Sequence, residues 1–246
     1  MNASTLSKLD VIKKIALFAD LGEIEIREIL KNSLILKCKK GKTLFCREEK
    51  SLNLYVVLSG VLKIFISDSE GEETVLQIAD FGKSLNDIFS KNFQSNAQAL
   101  EDSSLLAIPL LDAREFLAKN LNFSSKILSD ISAKNSELLA QLTQLKLTNA
   151  KQKVGQFLLG MAFEKSGDKE KNIELKCDKS VIASYLGIKS ETLSRTLQKL
   201  KNDGEITVKK NQITLLQDNS LCDYCDSKIA AKCKQHKSSF CQDPHL

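Results

Sequence analysis

The chain has 246 residues, 42% of them apolar, and a formal charge of +5; that is enough for one large or two modest domains with a buried core, and no apolar run reaches membrane-spanning length. The charge is uneven: residues 1–150 hold 19 basic and 19 acidic side chains, whereas residues 151–246 hold 17 and 12, so the back of the chain is the part suited to an anionic partner such as nucleic acid. The start reads as no secretory signal, so a reducing cytoplasm is expected, where seven cysteines point to metal or redox chemistry and away from a disulfide framework.

Residues 6–31 have helical spacing, with Leu9, Ile12, Ile15 and Leu17 followed by Leu21, Ile24, Ile26, Ile29 and Leu30. From Leu34 the pattern changes to short apolar or alternating runs, "LYVVLSG", "VLKIFIS" and "TVLQIAD", separated by glycine-containing turns such as "SDSEGEE". "AQALEDSSLLAIP" supplies one or two more strands. Evenly spaced short strands with glycine turns predict a small antiparallel barrel or roll.

At about Leu110 the period becomes helical again. Leu128, Ile131, Asn135, Leu138, Leu142, Leu145 and Asn149 are separated by steps of three and four, the spacing of a coiled-coil seam. An asparagine inside such a seam fixes register and oligomeric state, so a parallel homodimer is expected; the competing reading is an amphipathic helix lying on its own roll. Residues 151–163 continue helical, and "EKSGDKEKN" reads as a charged loop.

The stretch "DKSVIASYLGIKSETLSRTLQKLKNDGEITVKKNQITLL" predicts a winged helix-turn-helix. A short helix over Ser180–Leu186 turns inward with Ile182, Ala183 and Leu186. Gly187 supplies the turn and Ile188 plugs it. Ser190 is placed to cap a second helix, which buries Leu193, Leu197 and Leu200 and presents Glu191, Thr192, Ser194, Arg195 and Lys199. "EITVKKNQITLL" makes a two-stranded wing with its tip at Lys209–Gln212. In a major groove, Arg195 can pair bidentately with guanine and Glu191 can accept from cytosine. Lys189, Ser190, Thr192 and Lys199 are placed for phosphates. Alternatively, Glu191 and Arg195, four residues apart, simply pair with each other on an exposed face.

With these residues in view the chain resembles the Crp/Fnr family of bacterial transcription regulators over about residues 9–217, through "GKTLF…LYVVLSGVLKIF", the long helix and "IASYLGIKSETLSRTLQKLKNDGEI". The resemblance implies an α+β fold: an N-terminal antiparallel β-roll of cupin-like, cyclic-nucleotide-binding type (1–120), a dimerisation helix (121–149), and a winged helix-turn-helix (150–218) followed by a cysteine-rich tail (219–246). It also implies that Glu191, Ser194 and Arg195 form the E-x-x-S-R reading head of the Fnr branch, for palindromic double-stranded DNA with TTGA-like half-sites, with RNA polymerase as a further partner. The chain departs from the cyclic-nucleotide-binding members: Gly82 is followed by Lys83 and not Glu, and no arginine stands near Phe93–Gln94. Sensing of cAMP is therefore not expected. No phosphate loop, catalytic triad or histidine base suggests an enzyme.

The tail carries Cys222, Cys225, Cys233 and Cys241 in the spacing C-x2-C-x7-C-x7-C. Thiolates in such a cluster select iron–sulfur centres, zinc or cuprous copper. The four can hold a 4Fe–4S cluster. Alternatively they, or the first three with His236, hold a structural zinc, in which case the roll would sense a small molecule or haem-bound gas. The resemblance favours the cluster, because some Gram-positive Fnr-type regulators carry one on a C-terminal extension. Those use three cysteines and an aspartate, which leaves the fourth ligand open between Cys241 and an acid such as Asp130 or Glu137. Cys38, Cys46 and Cys177 read as small buried residues.

Overall fold

The computed structural model describes residues 10–86, 88–147, 149–163, 172–217, 220–225 and 227–230. The chain divides into two units, residues 1–139 and 140–246.

In the first unit a helical segment at residues 10–13 is followed by a 3-10 turn, Ala16–Phe18, and helix α1, Glu23–Leu30. The expected helical stretch is thus split, because the Gly22 amide, bonded to the Glu25 carboxylate at 2.6 Å, starts α1 afresh. Seven strands follow: β1 (Leu34–Cys38), β2 (Thr43–Phe45), β3 (Asn53–Ser59), β4 (Leu62–Ser67), β5 (Glu73–Ala79), β6 (Asn96–Ala99) and β7 (Ser103–Pro109). They pair antiparallel in two sheets, β1-β7-β3 and β2-β6-β4-β5.

The near-continuous apolar runs of β3 and β7 follow from burial on both faces. Leu54 and Val56, with Leu106 and Ile108, pack against Phe18, Ile26, Phe116 and Phe123 of the helical layer. Val57 and Leu105 face the other way, into the roll with Phe45, Leu62, Ile64, Leu85 and Phe93. The antiparallel roll expected from the turn spacing is present.

Helix α2 (Leu110–Lys119) follows β7 directly, and α3 runs over Leu121–Leu147. Asn120 leaves the helical conformation and its side-chain oxygen accepts the Phe123 N–H at 2.9 Å, starting α3. Helix α3 has two apolar faces. Phe123 and Ile127 are buried in the helical layer, whereas Leu128, Leu138 and Leu142 are 67%, 49% and 55% exposed.

The second unit contains α4 (Ala150–Ala162), β8 (Asn172–Glu174), α5 (Lys179–Tyr185), α6 (Ser190–Asn202), β9 (Ile206–Lys209) and β10 (Gln212–Leu215), then a 3-10 turn, Cys222–Tyr224, and a short helix α7, Ser227–Ala230. Asn149 does not extend the α3 seam as the spacing suggested. It caps α4, accepting the Gln152 N–H at 3.0 Å while the Gln152 side chain accepts the Asn149 N–H at 3.1 Å. The wing also differs from expectation, since β8 joins β10 to give a three-stranded sheet, β8-β10-β9. Three residues are too few to show a period of two, and Asn172 belongs to the segment read as a loop. What anchors β8 is Ile173, buried with Leu175 in the helical core. Leu221 and Ile229 enter the same core beside Val154, Leu158, Leu197 and Ile213.

Candidate functional site

Helices α5 and α6 meet through the turn at Gly187, whose φ of 62° is a left-handed conformation that costs other residues a steric penalty. The Ile188 N–H donates to the Ala183 carbonyl at 3.0 Å, and the Ile188 side chain lies half-buried against the core. Helix α6 begins one residue earlier than the capping argument placed it. Ser190 is its first helical residue and makes no side-chain cap; the Lys189 carbonyl takes the first helical bond, from the Leu193 N–H at 3.0 Å. Leu193, Thr196, Leu197 and Leu200 are buried. Thr196 spends its hydroxyl on the Thr192 carbonyl at 2.8 Å, which lets a polar side chain lie inward.

This burial leaves one face outward. Lys189, Ser190, Glu191, Ser194, Arg195 and Lys199 are exposed, and Thr192 is half-buried. Among the described residues Glu191 and Arg195 enter no ion pair, so their charges are not spent on each other. The wing reaches its tip at Lys210, with a φ of 53°, between the paired Lys209 and Gln212. Both lysines there are exposed.

The first two tail cysteines lie on a built turn. Leu221, buried and with a φ of 65°, reverses the chain. The Tyr224 N–H then donates to the Leu221 carbonyl and the Cys225 N–H to the Cys222 carbonyl, each at 3.0 Å. Cys222 and Cys225 are half-buried. Glu205 holds the turn from the other side: one oxygen accepts the Leu221 N–H at 3.2 Å and the other accepts the Tyr224 hydroxyl at 3.3 Å. Lys151 pairs with Asp203 at 2.7 Å and with Glu205 at 3.7 Å. Cys233, Cys241 and His236 lie outside the described residues. Among the described residues no three Cys, His, Asp or Glu side chains come together as metal ligands.

Tyr224, Glu205 and Lys151 escaped the sequence reading because none belongs to the cysteine pattern. The available signal was Gly155 inside a helix, a residue type that often marks close approach of another group.

Asp130, an acid considered for the fourth ligand, is engaged within the first unit. It accepts the Ser84 hydroxyl at 2.8 Å and pairs with Lys134 at 3.1 Å, while Lys134 also donates to Ser84 at 2.6 Å. Lys134 borders a cavity of about 270 Å³ inside the roll, lined also by Ile64, Gln77, Asn86, Phe93 and Gln94. Lys134 is the one charged side chain among the described residues that line it, and no arginine does.

The remaining cysteines divide. Cys38 is buried, and burial pushes its thiol up. Cys177 is half-buried and pushed up to about 11, by burial first and by Asp178 second. Cys46, expected to be buried, is exposed; it follows β2 in a turn where its N–H donates to Glu49 at 2.9 Å.

Two family descriptions match the chain, a cyclic nucleotide-binding domain over residues 35–120 and a Crp-like helix-turn-helix domain over residues 152–224. The fumarate and nitrate reduction regulatory protein of Escherichia coli K12 is 26% identical over 187 residues, covering 74% of this chain and 75% of that protein. Among solved structures, FixK2 from Bradyrhizobium japonicum superposes with a TM-score of 0.73 at 18% identity, over 79% of this chain and 98% of that one. A CooA variant from Carboxydothermus hydrogenoformans gives 0.71 at 20% identity, over 83% and 96%. These two show a shared fold. Among the described residues no helix is long and apolar enough to cross a membrane. With both domains present in this order and on this fold, the chain belongs to the Crp/Fnr family of transcription regulators, proteins that bind DNA as dimers and are not enzymes.

Proposed function

We propose that this regulator acts in the reducing cytoplasm as a homodimer whose affinity for a palindromic operator is set by an iron–sulfur cluster, of 4Fe–4S type, on the C-terminal cysteines. The observation that carries this reading is the turn Cys222–Tyr224 with its cap Cys225, which holds two soft thiols with two residues between them beside the core of the DNA-binding unit. That donor set fits an iron–sulfur or zinc centre. Cys222, Cys225 and Cys233 would hold the group, with Cys241 as the fourth ligand. Asp130 is set aside because Ser84 and Lys134 already occupy its carboxylate. When bound, an iron–sulfur cluster supplies a centre open to attack by oxygen or nitric oxide.

The chain's own residues do the rest. Arg195 and Glu191 read base edges from an outward helix face on which they are not paired with each other. Ser194 completes that reading head, and Lys189, Ser190, Thr192 and Lys199, with the wing lysines, hold the phosphate backbone in register. The exposed seam of Leu128, Ile131, Leu138 and Leu142 brings two copies together, so that two half-sites are engaged at once. RNA polymerase is the further partner of a protein acting at promoters.

A second reading rests on the roll cavity. Its one lysine and several amides suit a small polar ligand, and the tail thiols would then hold a structural zinc. Anaerobic purification decides between the two. Brown protein containing iron and acid-labile sulfide, lost in Cys222→Ser, Cys225→Ser or Cys233→Ser, supports the cluster. Colourless protein with stoichiometric zinc overturns it in favour of the second reading.

A further inference from the structure

Gly155 lies in the middle of α4, where glycine is a poor helix former. A Cβ at this position would fall inside the Tyr224 ring, against its Cγ and Cδ2 atoms. The missing side chain is therefore a notch, and the ring of Tyr224, one of the two residues between the thiols, fills it. The other contacts of that ring lead elsewhere in the same domain. Its hydroxyl bonds Glu205, and Lys151 stands 5.8 Å from the ring centroid while pairing with Asp203. Asp203 is the residue that closes the recognition helix α6, and Glu205 immediately precedes β9 of the wing.

We propose that Tyr224 is the positioning residue of the thiol turn: seated in the Gly155 notch, it clamps Cys222 and Cys225 onto α4 and joins them, through Glu205 and Lys151, to the end of the recognition helix and the base of the wing. This rests on the reading that these thiols serve a metal centre, and it names how their state reaches the DNA-binding surface. A turn that is ordered only while the ring is seated presents the two thiols at a fixed spacing. A turn that lifts away frees the Glu205 carboxylate from both of its bonds to the turn and leaves it to Lys151, at the base of the wing.

The test uses full-length, metal-free, reduced protein. Alkylation of each cysteine by iodoacetamide is followed by peptide mass spectrometry, with Cys38 and Cys46 as internal references. Gly155→Ala and Tyr224→Ala are each expected to raise the rates at Cys222 and Cys225 by about fivefold or more, the size of effect that follows when local opening becomes easy. The double variant is expected to react no faster than Tyr224→Ala alone. Tyr224→Phe, which keeps the ring and loses the hydroxyl, should stay within about twofold of wild type, since the Glu205 bond is a single partly exposed contact. In the Tyr224→Ala background, Gly155→Ala should raise the melting temperature, because an alanine in an unobstructed helix stabilises it. In the wild-type background the same substitution should lower it.

Wild-type alkylation rates in Gly155→Ala, or a rise in its melting temperature with Tyr224 in place, would overturn the clamp. Metal analysis separates the two claims. Wild-type protein that never takes up metal, yet shows these rate changes, sinks the cluster and leaves the clamp standing. Gly155→Ala and Tyr224→Ala proteins that load and retain iron and sulfide as wild type does sink the clamp.

Discussion

Arg195 and Lys199 stand four residues apart on the outward face of α6, yet different work is expected of them. A guanidinium bidentate to guanine contributes discrimination, so Arg195→Ala should weaken the specific operator by roughly 1–3 kcal/mol and relax preference at one base pair. Lys199→Ala should instead weaken all sequences alike and flatten the dependence of binding on salt. Titrations against matched and mismatched operators at several salt concentrations separate the two, and identical behaviour of both variants would contradict the roles. Cys177 gives a second test at this scale. Burial pushes its thiol from 9.0 to about 11, so the folded chain keeps this proton more tightly than the unfolded one. Its contribution to stability is complete below the unfolded value and is lost as pH rises through the folded one. Urea unfolding between pH 8 and 11 should show wild type losing stability faster than Cys177→Ala, and parallel curves would refute the shift. The three inward leucines of α6 were legible from their spacing, whereas the burial of Thr196 and the half-burial of Thr192 were not. The Ser190 cap was not, because a serine that can cap and a serine that begins a helix look the same without the backbone.

At the scale of elements, α3 carries two stripes. Phe123 and Ile127 seal the helical layer of their own unit, and the seam residues are left exposed, a pattern expected of a helix that pairs with a second copy. Replacing Leu138 and Leu142 by glutamate should give monomers by sedimentation and lower operator affinity at least about a hundredfold, since engaging one half-site forfeits the gain from linking two. A dimer unchanged by the double substitution would remove the seam from the interface. The seam residues read from the spacing are exposed on α3 as far as Leu142, the Leu145 side chain lies outside the described residues, and the pattern was carried on to Asn149. Asn149 matches the spacing and is in fact the cap of α4, because periodicity does not register a break where one helix hands over to another. The same limit hid β8, where three residues gave no alternation to count. It also hid the seating of Tyr224 in α4, a contact between residues 69 positions apart by sequence number.

For the whole molecule, the order roll, long helix, winged helix-turn-helix was legible because each part has its own period and its own turn chemistry, and the fold confirms it. In the proposed reading the sensing chemistry depends on what the thiols bind, and the turn Cys222–Tyr224 beside the DNA-binding core is the physical reason to look there before the roll. Cys222→Ser and Cys225→Ser should therefore uncouple operator binding from oxygen, while Cys38→Ser and Cys46→Ser should leave the response intact. The most direct measurement is the operator affinity of anaerobically reconstituted wild-type protein before and after exposure to air, with iron content followed in the same samples. A change in affinity of about tenfold or more that tracks the loss of iron, of the size usual for coupling between two sites, is the expected result. Equal affinity in both states, with the tail cysteines replaceable without effect, would contradict it.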